Sequence, residues 1–114
     1  MEMIVHLHSD VYEIVKAGTK NIEVRINDEK RRKLQVGDTL IFLKRPDEIE
    51  SIKARVIGLE YYKNFEELVE HYDMEQLYLK SYTKNHFLKE LSRFYSKEEQ
   101  DEYGVVAILF EKID

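Results

Sequence analysis

The chain has 114 residues, of which 43% are hydrophobic and 36% charged, with no cysteine and a net charge of −5. That length holds one domain with one hydrophobic core, not two, and the charge density is that of a water-exposed surface. The composition excludes disulfides, thiolate nucleophiles and Cys-ligated zinc, and the net charge argues against a generic nucleic-acid coat. 

There is no apolar run near the ~18 residues that a membrane span needs. The opening "MEMIVHLHSD" lacks the basic region and long apolar stretch of a signal peptide, so the expected location is the cytoplasm. No motif calls for a cofactor.

"MIVHLH" reads as a first strand. Ser9 or Asp10 can cap the helix that follows, with Glu13 completing a capping box after Asp10, and Gly18 is a natural stop. A second strand, Lys20 to Ile26, alternates polar and apolar residues. "NDEKRRKLQ" reads as a loop with room for one helical turn, and Gly37-Asp38 turns into a strand from Thr39 to Lys44. The near-continuous apolar run of that strand implies burial on both faces. Pro46 marks a turn before a long strand, Ser51 to Tyr62, with Gly58 at a bulge or bend.

From Asn64 the period becomes helical. Asn64, Asp73 and Ser96 each stand three residues before a Glu or Gln, the spacing of a cap. "HFLKELSRFY" predicts a helix with Phe87, Leu88, Leu91 and Phe94 inside, and "YGVVAILFE" a buried closing strand. The middle strands lack crossover helices, which argues against a doubly wound parallel sheet. The expected fold is α+β: a mixed, mainly antiparallel sheet curled into a barrel, with helices at the rim and a helical insertion before the last strand.

Charge is uneven along the chain. Lys16 to Lys33 holds seven bases against three acids, a local +4 that leaves −9 elsewhere. Screening over a Debye length of ~8–10 Å lets such a zone attract an anion on an acidic protein. Lys30 to Lys33 is either a solvated loop or a patch that steers a phosphate backbone.

"GTKNIEVR", Gly18 to Arg25, resembles the Gly-x-Lys-x-x-Glu-x-Arg signature of ASCH domains, the β-barrel relatives of the PUA domain. The likeness continues in order through "VGDTLIF", "NFEELVEHY" and "RFYSKEEQDEYGVVAILFE", so it covers nearly the whole chain. It implies a single PUA-like barrel domain over residues 1–114, with a cleft that holds Lys20, Glu23 and Arg25, and a role in RNA or nucleotide chemistry. Some members of that family resemble ribonucleases acting on single-stranded RNA, and others are amidohydrolases of acetylated cytidine. In the amidohydrolase branch the motif lysine, here Lys20, acts with a threonine nucleophile three residues on. That position is Glu23, so the hydroxyl is missing.

Glu23 and Arg25 share a strand face and can pair, with Lys20 at the strand entrance. An exposed pair of this kind is worth only ~0–1 kcal/mol. In a cleft, Lys20 with a lowered pKa suits a general base, Glu23 can hold it or take a proton, and Arg25 can fork onto a phosphate or oxyanion. There are eight tyrosines among thirteen aromatics, and Tyr61, Tyr62, Tyr95 and Tyr103 fall near element ends. Such rings either stack on bases or complete the core with a wet hydroxyl. The expected ligand contacts are Lys20, Glu23, Arg25, Arg32, Tyr95 and Tyr103, with Lys20 and Glu23 as candidate catalytic residues. His6 and His8 share a strand face but lack a third ligand nearby, so no metal site is expected. Glu98, Glu99, Asp101 and Glu102 form a solvated helix face.

Three functions follow as alternatives. The first is binding of RNA or a nucleotide-like ligand at a rim cleft. The second is hydrolysis of single-stranded RNA or of a modified nucleoside. The third is a protein-interaction module that docks through the insertion, which a large apolar patch over Phe65 to Phe94 would favour.

Overall fold

In the computed structural model, which describes residues 1–113, five strands form one sheet. The elements run β1 (Glu2–Leu7), α1 (Ser9–Lys16), β2 (Ile22–Ile26), α2 (Glu29–Arg32), β3 (Thr39–Lys44) and β4 (Ser51–Tyr62). The insertion then supplies α3 (Phe65–Val69), α4 (Met74–Leu77), α5 (Lys84–Leu91) and α6 (Lys97–Tyr103) before the closing β5 (Val105–Ile113). The strand order is β1-β3-β4-β5-β2. β1 and β3 are parallel, and the other three pairings are antiparallel. The sheet curls into a half-barrel whose two edges, β1 and β2, do not pair.

Alternation places the inner core. Met3, Val5 and Leu7 of β1 and Leu40 and Phe42 of β3 meet Ile52, Ala54 and Val56 of β4 and Val106, Ile108 and Phe110 of β5. Phe42 and Phe110 pack with ring centroids 4.9 Å apart. Tyr12 and Val15 of α1 and Leu34 close the two ends. β3 departs from the expectation of two buried faces. Leu40 and Phe42 are fully enclosed, but Ile41 and Leu43 are only partly covered.

The expectation of a single core also fails. A second cluster lies on the outer face of β2 and β5, where Ile22, Val24, Ile26, Val105 and Ala107 pack under Phe65, Leu68, Val69, Leu77 and Phe87 of the insertion. Both faces of β5 are apolar, so the sheet needs a cover on its convex side as well as a filled interior. The insertion is that cover, which makes it a layer over the barrel wall as well as a rim decoration.

Local signals behave unevenly. Asn64 and Ser96 cap α3 and α6 as the spacing predicts, with Glu67 and Glu99 as the partners. Gln76 accepts from the Asp73 N–H at the start of α4. α1 corrects the expected capping box: His8 is its N-cap and makes no side-chain bond, while the Asp10 carboxylate accepts from the Tyr78 hydroxyl. α5 ends at Leu91, so Phe94 is 65% exposed instead of internal. Gly58 follows a register shift from Val56, at the expected bulge. Gly104 has φ +70°, and a Cβ there would lie 3.2 Å from the Tyr62 carbonyl oxygen, so the turn into β5 requires glycine.

Leu68 is fully buried in the outer cluster. Leu68→Ala should cost about 2–5 kcal/mol in urea unfolding, with a single transition if both clusters unfold together. A change below about 0.5 kcal/mol would show that the helical layer is not integral to stability.

Candidate functional site

The unpaired seam between β1 and β2 opens into a cleft of about 960 Å³. β1 and the start of α1 contribute His6, His8 and Asp10 to one wall. β2 contributes Glu23 and Arg25, with Lys20 just before it. Arg45 and Pro46 come from the β3–β4 turn, Tyr78 follows α4, and Arg93, Phe94 and Tyr95 follow α5.

Register explains the charged wall. Glu23 lies opposite Ile108 and Arg25 opposite Val106, both members of the inner core. The polar face of β2 therefore points into the concave side, and the apolar face of Ile22, Val24 and Ile26 points outward beneath the insertion. That reverses the usual arrangement, in which the polar side of a half-buried strand meets solvent.

Lys20, Glu23 and Arg25 converge. Lys20 and Glu23 are the buried charged residues of the described chain, at 4% and 6% exposure. Lys20 Nζ lies 3.3 Å from Glu23 Oε1. It also donates to the carbonyl oxygens of Ile22 and, at 2.9 Å, of Leu77. An ammonium has three donors, so these contacts occupy all of them. Glu23 Oε2 accepts from Arg25 Nε at 2.9 Å and from Arg25 Nη2 at 2.7 Å. The Arg25 side chain remains 23% exposed.

Burial works against the charge on Glu23, but Arg25 and then Lys20 outweigh it and hold the carboxyl down at about 2. Burial lowers the Lys20 pKa, and Glu23 opposes that shift. The Glu23 carboxylate, first among causes, raises the pKa of Arg25, and Tyr95 adds to it. Glu23 is thus ionised at neutral pH and cannot serve there as a proton donor.

Tyr95 borders the cleft and packs on Phe65 with centroids 5.4 Å apart. Arg32 and Tyr103 fall outside the cleft lining. They lie beyond the far end of β2 and engage each other: the Arg32 guanidinium sits 5.7 Å from the Tyr103 ring centroid, and its Nε donates to Asn27 O at 2.8 Å. Of the expected ligand contacts, these two do not join Lys20, Glu23 and Arg25 in the cleft, because β2 separates the two groups. Tyr62 is likewise engaged elsewhere, sharing a hydrogen bond with Tyr72 at 2.8 Å. His6 pairs with Glu48 at 3.0 Å, and no cluster able to hold a metal occurs among the described residues.

Sequence reading missed Arg45, Arg93, Tyr78, Phe94 and Asp10. Arg45 had a weak signal as the residue before the single proline. Tyr78 had none, since its place depends on Lys20 binding the adjacent Leu77 carbonyl and on its own bond to Asp10 at 3.1 Å.

The depressed Glu23 pKa sets an acid dependence of stability. The stabilisation it supplies is present above its ordinary value of 4.5 and is lost as pH falls through about 2. The size is about 3 kcal/mol over that window, from ~1.4 kcal/mol per unit. Glu23→Gln should be less stable at pH 7 by about 3–5 kcal/mol and show a flatter acid limb in unfolding measured against pH. An acid limb identical to the parent's would remove Glu23 as its source.

Comparison with known proteins agrees with this architecture. The family model for the ASCH domain matches residues 5–114. The crystal structure of the hypothetical protein PH0355 superposes with a TM-score of 0.86 at 35% identity, covering 99% of this chain and 100% of that one. The solution NMR structure of protein PF0455 from Pyrococcus furiosus gives 0.77 at 31% identity, covering 100% and 99%. The S128A mutant of ZmASCH from Zymomonas mobilis gives 0.61 at 15% identity, covering 99% of this chain and 73% of that one, which speaks for the fold alone. Among curated proteins, none matches the chain. With its half-barrel, its outer helical layer and the motif charges gathered at the open seam, the chain belongs to the ASCH domain family, within the PUA-like fold.

Proposed function

We propose that the seam cleft binds single-stranded RNA or a nucleotide-like ligand, and that Arg25 is the group that meets its phosphate. The observation that carries this reading is the state of Arg25. Two of its donors are held by Glu23, which fixes the plane of the guanidinium on the cleft wall beside Tyr95. Arg45 and Arg93 add positive charge to the same walls, and Tyr78, Phe94 and Tyr95 add rings. Cations and aromatic faces together suit a strand whose bases stack while its backbone is neutralised. The volume fits a ligand of nucleotide size, near the upper end of the usual ~300–1,000 Å³ for small-molecule sites.

In this reading Lys20 is a positioning residue. Its donors are spent on Ile22, Leu77 and Glu23, so it holds the wall that carries Tyr78 and keeps Glu23 aimed at Arg25. Hydrolysis stands second. The lowered pKa of Lys20 suits a base, but its nitrogen is engaged on three sides and Glu23 is locked as an anion. A docking module stands third, because Phe65, Leu68, Val69, Leu77 and Phe87 are consumed in the outer core. No helix among the described residues is long and apolar enough to cross a membrane, and a cytoplasmic location accords with an RNA ligand.

The test is a titration with an unstructured oligouridylate at fixed salt. Arg25→Ala should weaken binding about tenfold or more, the loss of a hydrogen bond to a charged group. Arg25→Lys, which keeps the charge without the fork, should recover only part of it. Tyr95→Ala should cost about 1–3 kcal/mol in affinity, with Tyr95→Phe close to the parent. Equal binding by the parent and both Arg25 variants would end the assignment.

A further inference from the structure

Val24 borders the cleft for a reason that its side chain does not supply. That side chain packs in the outer cluster and the residue is 6% exposed, yet Val24 lines the cleft between Glu23 and Arg25. What it shows to the cleft is therefore main chain. The pairing of β2 with β5 fixes where those groups point. In an antiparallel pair, residues that bond the neighbouring strand alternate with residues whose N–H and C=O face away from it. The Asn21 carbonyl accepts from the Phe110 N–H at 3.0 Å, and the Asn27 N–H donates to the Gly104 carbonyl at 3.0 Å. Between them Glu23 lies opposite Ile108 and Arg25 opposite Val106, so these alternate residues bond toward β5. Ile22, Val24 and Ile26 turn their main-chain groups to the free edge of β2, which is the seam.

The protein already satisfies part of this edge. Lys20, itself on the cleft wall, donates to the Ile22 carbonyl oxygen. One step along, the Val24 N–H and C=O have no protein partner among the described residues. Ile26, the next position, lies outside the cleft lining. β1 supplies nothing to Val24, because the edges of β1 and β2 stay unpaired across the seam. A main-chain donor and acceptor standing side by side on a cleft wall are left for water or a ligand to satisfy. The guanidinium of Arg25, fixed by Glu23, belongs to the next residue.

We infer that the main chain of Val24 reads the hydrogen-bonding edge of an unpaired base, while Arg25 meets the phosphate of the same ligand. This rests on the nucleotide reading of the cleft and adds how the base is held. The Watson–Crick edge of every base sets a donor beside an acceptor: N3–H beside O4 in uracil, N1–H beside O6 in guanine, and the exocyclic amine beside a ring nitrogen in cytosine and adenine. Each can donate to the Val24 C=O and accept from the Val24 N–H. A base already paired in a duplex has that edge occupied. The site therefore selects unpaired bases without selecting a sequence, and it reads the edge on which single-stranded RNA is commonly recognised. β5 holds the strand from its other side, so the donor and acceptor are in place before the ligand arrives.

The experiment titrates labelled protein with uridine monophosphate, with its N3-methyl derivative and with ribose 5-phosphate, following both affinity and the Val24 amide resonance. The N3-methyl ligand keeps the phosphate and the stacking face but has lost the donor. It should bind about tenfold more weakly than uridine monophosphate, since the Val24 C=O is left without its partner. Uridine monophosphate should shift the Val24 N–H signal, and ribose 5-phosphate should leave it close to its free position. Val24→Pro removes that N–H on the edge away from β5, where proline is tolerated because no ladder bond is lost. It should weaken uridine monophosphate about tenfold and leave ribose 5-phosphate unchanged. Where the proline variant does not fold, the methylated ligand and the amide signal decide alone. If the parent binds uridine monophosphate with the Val24 amide unmoved, or binds the methylated ligand as tightly, the base contact is wrong while the cleft stands. If none of the three ligands binds the parent, both readings fall.

Discussion

Glu23 is a carboxylate taken out of water between two cations, and the mouth of the half-barrel depends on it. Moving a carboxylate into a protein interior costs several kcal/mol, which only close partners and satisfied oxygens can offset. Here Oε1 faces Lys20 at 3.3 Å and Oε2 takes two bonds from Arg25. The triad joins distant parts of the chain. Lys20 reaches the Leu77 carbonyl in the insertion, and Arg25 lies against Tyr95 beyond α5. One negative and two positive charges leave a net positive floor, with the free part of it on Arg25.

The open seam follows from the same charges. β2 turns Glu23 and Arg25 inward, where a closed barrel would carry apolar side chains. Bringing β1 against them would remove what water remains around Arg25 with no new partner for it. β1 instead pairs only with β3, and the gap becomes a cleft. The outward face of β2 is then the apolar one, which is why the insertion packs over β2 and β5 as a second core. One strand thus sets the site on its inner side and the helical layer on its outer side.

Features that depend on neighbours in sequence were legible in it: the long β4, the bulge at Gly58, and the caps at Asn64 and Ser96. Period two put Glu23 and Arg25 on one face. It does not say which face is concave, because that depends on β5 pairing more than eighty residues away. Lys20 was placed at the strand entrance, and its saturation by Leu77 is a tertiary fact. Arg32 and Tyr103 stand among the expected ligand contacts, but α2 carries Arg32 beyond the other end of β2. Arg45 and Arg93 enter the cleft from loops whose direction no local rule specifies. A 114-residue chain was expected to fill one core, and the apolar residues of the insertion built another.

The central claim is a division of labour: Arg25 meets the ligand, while Glu23 and Lys20 hold it in place. Arginine Nε–H and lysine ammonium resonances report on those side chains directly. A titration of isotopically labelled protein with oligouridylate, followed at these nitrogens, should shift or broaden the Arg25 Nε signal and leave the buried Lys20 ammonium close to its free position. A large shift at Lys20 with Arg25 unmoved would contradict the account.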